Sequence, residues 1–152
     1  MEKRILNETL INKFYRCSEN IIKEEEQENP DKVLEYLELA KSLFKSTFDN
    51  YKTTIRFNVN PRNIERFDKN KYGRLIIKGK IYIKENVYVD FLFNLDSSGF
   101  ELVSTLLTER IRNIVINRAS FIKSCGIREV VDLLREFRKK VDEWKIKILL
   151  VE

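Results

Sequence analysis

Alternation of apolar and polar side chains over residues 72–95 constrains the fold of this 152-residue chain more than any other feature. Apart from one glycine, the odd positions of its two alternating runs are all hydrophobic: Leu75, Ile77, Gly79, Ile81, Ile83, Val87, Val89, Phe91, Phe93 and Leu95. Because successive side chains of a strand point to opposite faces, the segment predicts a β-hairpin with one apolar and one polar face. The apolar face marks where the hydrophobic core lies.

The hairpin register follows from the rule that opposed residues share a face, which requires a loop of odd length. A three-residue loop over residues 84–86 meets this condition, since Asn86 tolerates the left-handed conformation that such loops need. The predicted cross-strand pairs are Ile83 with Val87, Tyr82 with Tyr88, Lys80 with Asp90, and Gly79 with Phe91. A two-residue turn is rejected because it would oppose apolar to polar residues along the whole ladder.

Helical and strand patterns surround the hairpin on both sides. Residues 4–26 predict an amphipathic helix, a second helix starts near Pro30, and residues 53–59 predict a first strand. After the hairpin, Ser98 and Glu101 form a capping-box pattern in front of an apolar segment. This pattern predicts a helix over residues 99–125 that crosses the apolar sheet face, and the glycine at position 126 would be its left-handed C-cap.

The C-terminal segment has a heptad pattern of its own. Its apolar positions follow unbroken 3-4 spacing, and the predicted seam consists of Ile127, Val130, Leu134, Phe137, Val141 and Trp144. Such spacing is typical of a coiled coil, so the residues predict a homodimer. An ordinary terminal helix packed on its own domain fits the same spacing, and residues 145–151 could instead leave the helix as a further strand.

Together these patterns predict an α+β fold with the element order α-α-β-β-β-α-α. Its antiparallel sheet has three or more strands and packs one face on helices. The chain divides into a core domain over residues 1–126 and an amphipathic, coiled-coil-like helix over residues 127–152.

The composition excludes several classes of function. The chain has no histidine, its two cysteines stand far apart at positions 17 and 125, and no P-loop or dinucleotide-binding glycine pattern occurs. No apolar run has the length of a membrane span, and the N-terminus lacks the apolar region of a secretion signal. We therefore predict a cytoplasmic protein without enzyme activity, cofactor, metal site or membrane partner.

Positive charge is concentrated around the predicted sheet. The whole chain has a formal charge of +5, whereas residues 52–95 alone contain ten Lys or Arg and four Asp or Glu. Single-stranded nucleic acids are held by cations that follow the backbone and by aromatic rings on which bases stack. The polar strand positions therefore predict a sequence-tolerant binding site for single-stranded DNA or RNA, made by Arg56, Arg74, Lys78, Lys80, Tyr82, Lys84 and Tyr88. A solvated outer surface with an ordinary tyrosine pair is the alternative.

Helices around an antiparallel sheet, a basic aromatic surface and a C-terminal heptad helix also resemble the ThermoDBP family. Members of that family are archaeal single-stranded DNA-binding proteins that dimerise through a C-terminal zipper. The resemblance implies a DNA-binding homodimer. It covers most of the chain and rests on architecture alone, so it implies no individual binding residues.

Two other functions are compatible with the sequence. A protein-interaction or assembly subunit would use the heptad seam and the acidic first helix. A metal-dependent nuclease would need a carboxylate cluster on the basic surface. The carboxylates available for such a cluster are Glu65, Asp68, Glu85, Asp90 and Asp96.

Overall fold

A computed structural model describes residues 7–23, 30–57, 76–96, 99–108 and 119–151. Its elements are α1 (Glu8–Ile22), α2 (Pro30–Thr47), β1 (Lys52–Phe57), β2 (Ile77–Lys84), β3 (Val87–Asp96), β4 (Gly99–Thr108), β5 (Ala119–Cys125), a short 3₁₀ turn (Ile127–Glu129) and α3 (Val130–Val151). The strands form one antiparallel sheet in the order β1-β2-β3-β4-β5. The α+β class and the helix-covered antiparallel sheet are thus confirmed.

The predicted apolar face of the hairpin forms the sheet side of the hydrophobic core. Its described hydrophobic positions are all buried: Ile77, Ile81, Ile83, Val87, Val89, Phe91, Phe93 and Leu95. The helices supply the opposing layer, in which Phe44 of α2 stacks on Phe91 at 4.5 Å and Phe14 of α1 stacks on Phe100 at 5.4 Å between ring centroids. The period-2 pattern therefore located the core correctly.

The hairpin register confirms three of the four predicted pairs, namely Tyr82 with Tyr88, Lys80 with Asp90, and Gly79 with Phe91. The fourth is wrong, because Lys84 and not Ile83 pairs with Val87 across a two-residue turn. The register shifts between Tyr82 and Lys84, as in a β-bulge. The bulge adds one extra residue on β2. Opposed residues beyond the bulge therefore share a face, even though the turn itself has only two residues.

Gly79, the exception to the apolar pattern, lies beneath the ring of Phe91. A Cβ atom at Gly79 would come within 2.5 Å of two ring atoms of Phe91 and 2.6 Å of the Thr54 carbonyl oxygen. The aromatic ring thus covers the glycine of the neighbouring strand, an arrangement that helps to fix strand register. The missing side chain makes room for the stack between Phe91 and Phe44.

The predicted helix over residues 99–125 is wrong, since its described parts are strands β4 and β5. In β4 the residues Phe100, Leu102, Ser104 and Leu106 are buried, and they alternate with partly exposed ones. Glu101 pairs with Asn94 in the ladder to β3 and does not close a capping box at a helix start. Gly126 is not a left-handed cap either, because it has φ −73° and precedes the 3₁₀ turn.

The C-terminal heptad pattern does form a helix, and α3 remains helical through Val151 rather than leaving as a strand. Its seam packs inside the chain, because five of the six predicted dimerisation residues are buried in the core: Val130, Leu134, Phe137, Val141 and Trp144. The sixth, Ile127, is partly buried against the same cluster. The segments on either side of residue 126 therefore share one hydrophobic core, as the terminal-helix alternative requires.

Arg138 ties α3 to the end of α2. Its guanidinium donates hydrogen bonds to the Thr47 carbonyl oxygen and to the carboxylates of Asp49 and Asp142. The Tyr51 hydroxyl also donates to Asp142, and burial together with this hydrogen bond raises the pKa of Tyr51. These contacts hold α3 across the apolar side of the sheet and leave the opposite side to the polar residues.

Candidate nucleic-acid interface

The sheet face turned away from the three helices is called the open face below. Its residues follow from the strand register: Lys52, Thr54 and Arg56 of β1, Lys78, Lys80 and Tyr82 of β2, Tyr88, Asp90 and Leu92 of β3, Glu101, Val103 and Thr105 of β4, and Ser120, Ile122 and Ser124 of β5. All of them are partly or fully exposed. Within the described part of the chain, no helix covers this face.

Aromatic rings and cations alternate at one end of the open face. Tyr82 and Tyr88 are direct cross-strand partners, with ring centroids 5.6 Å apart and planes inclined by 48°. The Lys52 ammonium lies 5.6 Å from the Tyr82 ring centroid, and the Lys80 ammonium lies 4.6 Å from that of Tyr88. Cations at these distances are attracted to the ring faces, so the pair is an aromatic platform bordered by positive charge.

Arg56 and Lys78 face each other directly at the opposite end of the β1–β2 ladder. Like charges directly opposite in a sheet destabilise it. The ion pairs among the described residues connect helices, the loop after α2, β5 and the 3₁₀ turn, and none of them includes Arg56 or Lys78. An anion placed between these two cations would relieve their repulsion, since each would gain an opposite charge.

The structure brings together five of the seven predicted binding residues on the open face: Arg56, Lys78, Lys80, Tyr82 and Tyr88. Lys84 lies at the hairpin turn, where it is partly buried beside the bulge. Arg74 lies outside the described residues, as do the basic positions of the connector over residues 61–71.

Comparison with family models, curated proteins and solved structures finds no match for this chain. None of the helices in the described ranges is long and apolar enough to cross a membrane. The same ranges contain no group of three or more acidic or cysteine side chains placed to hold a metal ion.

A depression of about 310 Å³ lies in the middle of the open face. Its walls come from four strands, and its lining residues are Thr54, Arg56, Lys78, Gly79, Lys80, Asp90, Phe91, Leu92, Val103 and Thr105. Cations thus occupy the β1–β2 side, whereas Leu92 and Val103 give the other side an apolar surface. At this volume the depression is at the small end of ligand pockets.

The contribution of β4 and β5 to this surface was missed by the sequence analysis. Val103 and Thr105 line the depression, and Ile122 of β5 is 66% exposed beside them. A helical interpretation of residues 99–125 hid these residues. The pattern that could have revealed them is the alternation of Phe100, Leu102 and Leu106 with β-branched residues, which favour strands.

Proposed function

We propose that the protein binds single-stranded DNA or RNA across the open face of its sheet, without cleaving it. The observation that carries this proposal is the combination of a tyrosine pair with unneutralised cations on one surface. Such a surface can follow a phosphate backbone and stack bases at the same time, and neither interaction needs a particular sequence. The ligand class agrees with the resemblance to the ThermoDBP family and with the predicted cytoplasmic location.

The tyrosine pair and the depression lie close enough together to contact neighbouring bases of one strand of nucleic acid. Tyr88 and Asp90 are two residues apart on β3 and lie on the same face, which separates them by about 7 Å. One base can stack on the tyrosine pair while the next one reaches the depression. Lys78 and Lys80 lie beside these positions on β2 and would contact the phosphates.

The proposal does not assign dimerisation to the C-terminal helix. The seam residues of α3 pack against the sheet and the turn after α2, as the contacts of Phe137 with Phe91 at 6.1 Å and with Phe48 at 5.2 Å between ring centroids illustrate. If the protein forms a dimer, the dimer interface would therefore have to use another surface.

A protein-binding function of the open face is the second candidate. Leu92, Val103 and Ile122 are register neighbours and form an apolar row across β3, β4 and β5. Ile122 is 66% exposed, which is unusual for an isoleucine within a sheet. An assembly subunit could bury this row against a partner, whereas the predicted seam on α3 is already buried.

A salt titration tests the nucleic-acid proposal. Fluorescence anisotropy of a labelled 15-nucleotide single strand would be measured at several salt concentrations. With four cations on the open face (Lys52, Arg56, Lys78 and Lys80), the magnitude of the logarithmic salt slope should reach at most about 2.8, because each neutralised phosphate contributes about −0.7 for single strands. An affinity that does not change with salt would contradict the proposal.

Matched variants then locate the site. Replacing both Arg56 and Lys78 by alanine should make the slope shallower by about 1.4, since two phosphate contacts are lost. Tyr82→Ala should weaken binding roughly 5- to 150-fold through lost stacking. Lys139→Ala is the control, because Lys139 is exposed on α3 and lies away from the open face. Equal effects of all three changes would place binding elsewhere.

A further inference from the structure

We propose that the depression on the open face binds a guanine base, with the Asp90 carboxylate accepting hydrogen bonds from its Watson–Crick edge. This inference rests on the proposed single-strand binding and adds a base preference to it. Its starting point is the presence of a carboxylate in the middle of a basic surface. A face that only held phosphates would be weakened there, because a carboxylate repels them.

The carboxylate of Asp90 forms no ion pair with the lysine opposite it. Lys80 and Asp90 are cross-strand partners, yet the Lys80 ammonium lies 4.6 Å from the Tyr88 ring centroid. No ion pair among the described residues includes Asp90. Asp90 therefore keeps its acceptor atoms for another donor, and it lines the depression.

The rest of the lining suits a flat heterocycle. Leu92 of β3 and Val103 of β4 are direct partners and offer an apolar surface for one side of a base. Thr54 and Thr105 add hydroxyl groups, and Thr105 is paired with Asp90 itself. The volume of about 310 Å³ suits a single base, since larger ligands occupy pockets of up to about 1,000 Å³.

Hydrogen-bond chemistry selects guanine among the bases. A carboxylate has two acceptor oxygens side by side, which match two parallel N–H donors, as in its pairing with arginine. The N1–H and the N2 amino group of guanine form such a pair. Cytosine and adenine offer one amino group beside a ring nitrogen acceptor, and thymine or uracil offers one N–H between two carbonyl oxygens. Each of these edges would bring an acceptor against the carboxylate.

The test uses 15-nucleotide oligothymidine hosts with a single central guanine, adenine, cytosine or inosine. At a fixed salt concentration, the wild-type protein should bind the guanine host roughly tenfold more tightly than the all-thymine host, in line with one bidentate base contact. Inosine lacks only the N2 amino group, so it should lose most of this preference. A 7-deazaguanine host should retain the preference, because both donors remain.

Asp90→Asn assigns the preference to the carboxylate. This variant should bind all hosts alike, with affinity for the all-thymine host unchanged or higher because a negative charge is removed. Glu101→Gln is the matched control, since Glu101 belongs to the open face but does not line the depression; it should keep the guanine preference. Thermal melting of both variants checks that the fold is intact.

The outcomes distinguish the two proposals. Salt-dependent binding of every host with equal affinity would overturn the guanine site and leave the single-strand proposal standing. A guanine preference that survives Asp90→Asn would also overturn it. Failure of the wild-type protein to bind any host would overturn both.

Discussion

Replacing Gly79 by alanine tests the packing that fixes the sheet register and hence the open face. The added Cβ would lie 2.5 Å from the Cε2 and Cζ atoms of Phe91. Carbon atoms in contact need about 3.5 Å, so the ring would have to retreat by about 1 Å. Phe91 cannot retreat freely, because it stacks on Phe44 at 4.5 Å and contacts the edge of Phe137.

The second obstacle to this methyl group is backbone. The Thr54 carbonyl oxygen would lie 2.6 Å from the new atom, and Ile55 next to it is paired with Gly79 in the β1–β2 ladder. Overpacking of this kind costs about 1–3 kcal/mol. We expect the free energy of unfolding, measured in urea, to fall by that amount, with a decrease of about 2–4 °C in the melting temperature for each kcal/mol.

Gly126→Ala is the matched control for the glycine experiment. Both substitutions reduce the conformational entropy of the unfolded chain equally, which by itself raises the free energy of unfolding by about 0.4–1 kcal/mol. At Gly126 the backbone is extended at φ −73°, and the nearest atom to a new Cβ is the flexible end of Glu129 at 3.3 Å. Equal unfolding midpoints for the two variants would refute the placement of Phe91 over Gly79, and with it the pairing of β2 with β3.

Two further stability predictions concern the core. Tyr36 is fully buried, and its hydroxyl has no hydrogen-bond partner among the described residues. Tyr36→Phe should therefore keep or raise the free energy of unfolding, by up to about 1–3 kcal/mol in urea denaturation, and a clear loss of stability would contradict this. Phe137→Ala should lower it by about 3–5 kcal/mol, since the ring contacts Phe48, Phe91 and Phe121. Unfolding midpoints measured at several protein concentrations should coincide if the folded chain is a monomer; a midpoint that rises with concentration would instead show self-association.

The sequence was sufficient where one face of an element is apolar and the other polar. Residues 77–95 alternate with Leu92 as the one apolar residue on the polar face, and both the buried face and the pairs around Lys80 follow from this pattern. In β4 the alternation is blurred, because Ser104 interrupts the buried face and Val103 adds an apolar residue to the open one. Leu102, Val103 and Leu106 then fit a helical spacing equally well. Local periodicity could not distinguish the two structures.

The heptad pattern left two interpretations open for a different physical reason. Spacing of three and four residues shows that a helix has one apolar stripe, but it does not identify what the stripe packs against. Phe137 and Trp144 are large aromatic residues that a sheet can accommodate more easily than a narrow two-helix seam can. Phe137 stacks on Phe121 of β5, a strand that the sequence analysis had assigned to a helix. Because the sequence prediction contained no strand at this position, it offered no sheet surface on which α3 could pack.

The position of the Lys80 ammonium determines which charged groups of the open face are available to a ligand. Register alone predicts that Lys80 pairs with Asp90, which would engage the carboxylate and leave Arg56 and Lys78 as the charges of the depression. The Lys80 ammonium instead lies over the Tyr88 ring and makes no ion pair with Asp90, whose carboxylate lines the depression. A phosphate bound to Lys80 and a base donor bound to Asp90 would each disfavour an ion pair between Lys80 and Asp90. Under the proposed function, ligand binding and the separation of these two charges would therefore favour each other, and backbone binding would be linked to base preference at adjacent positions of one strand pair.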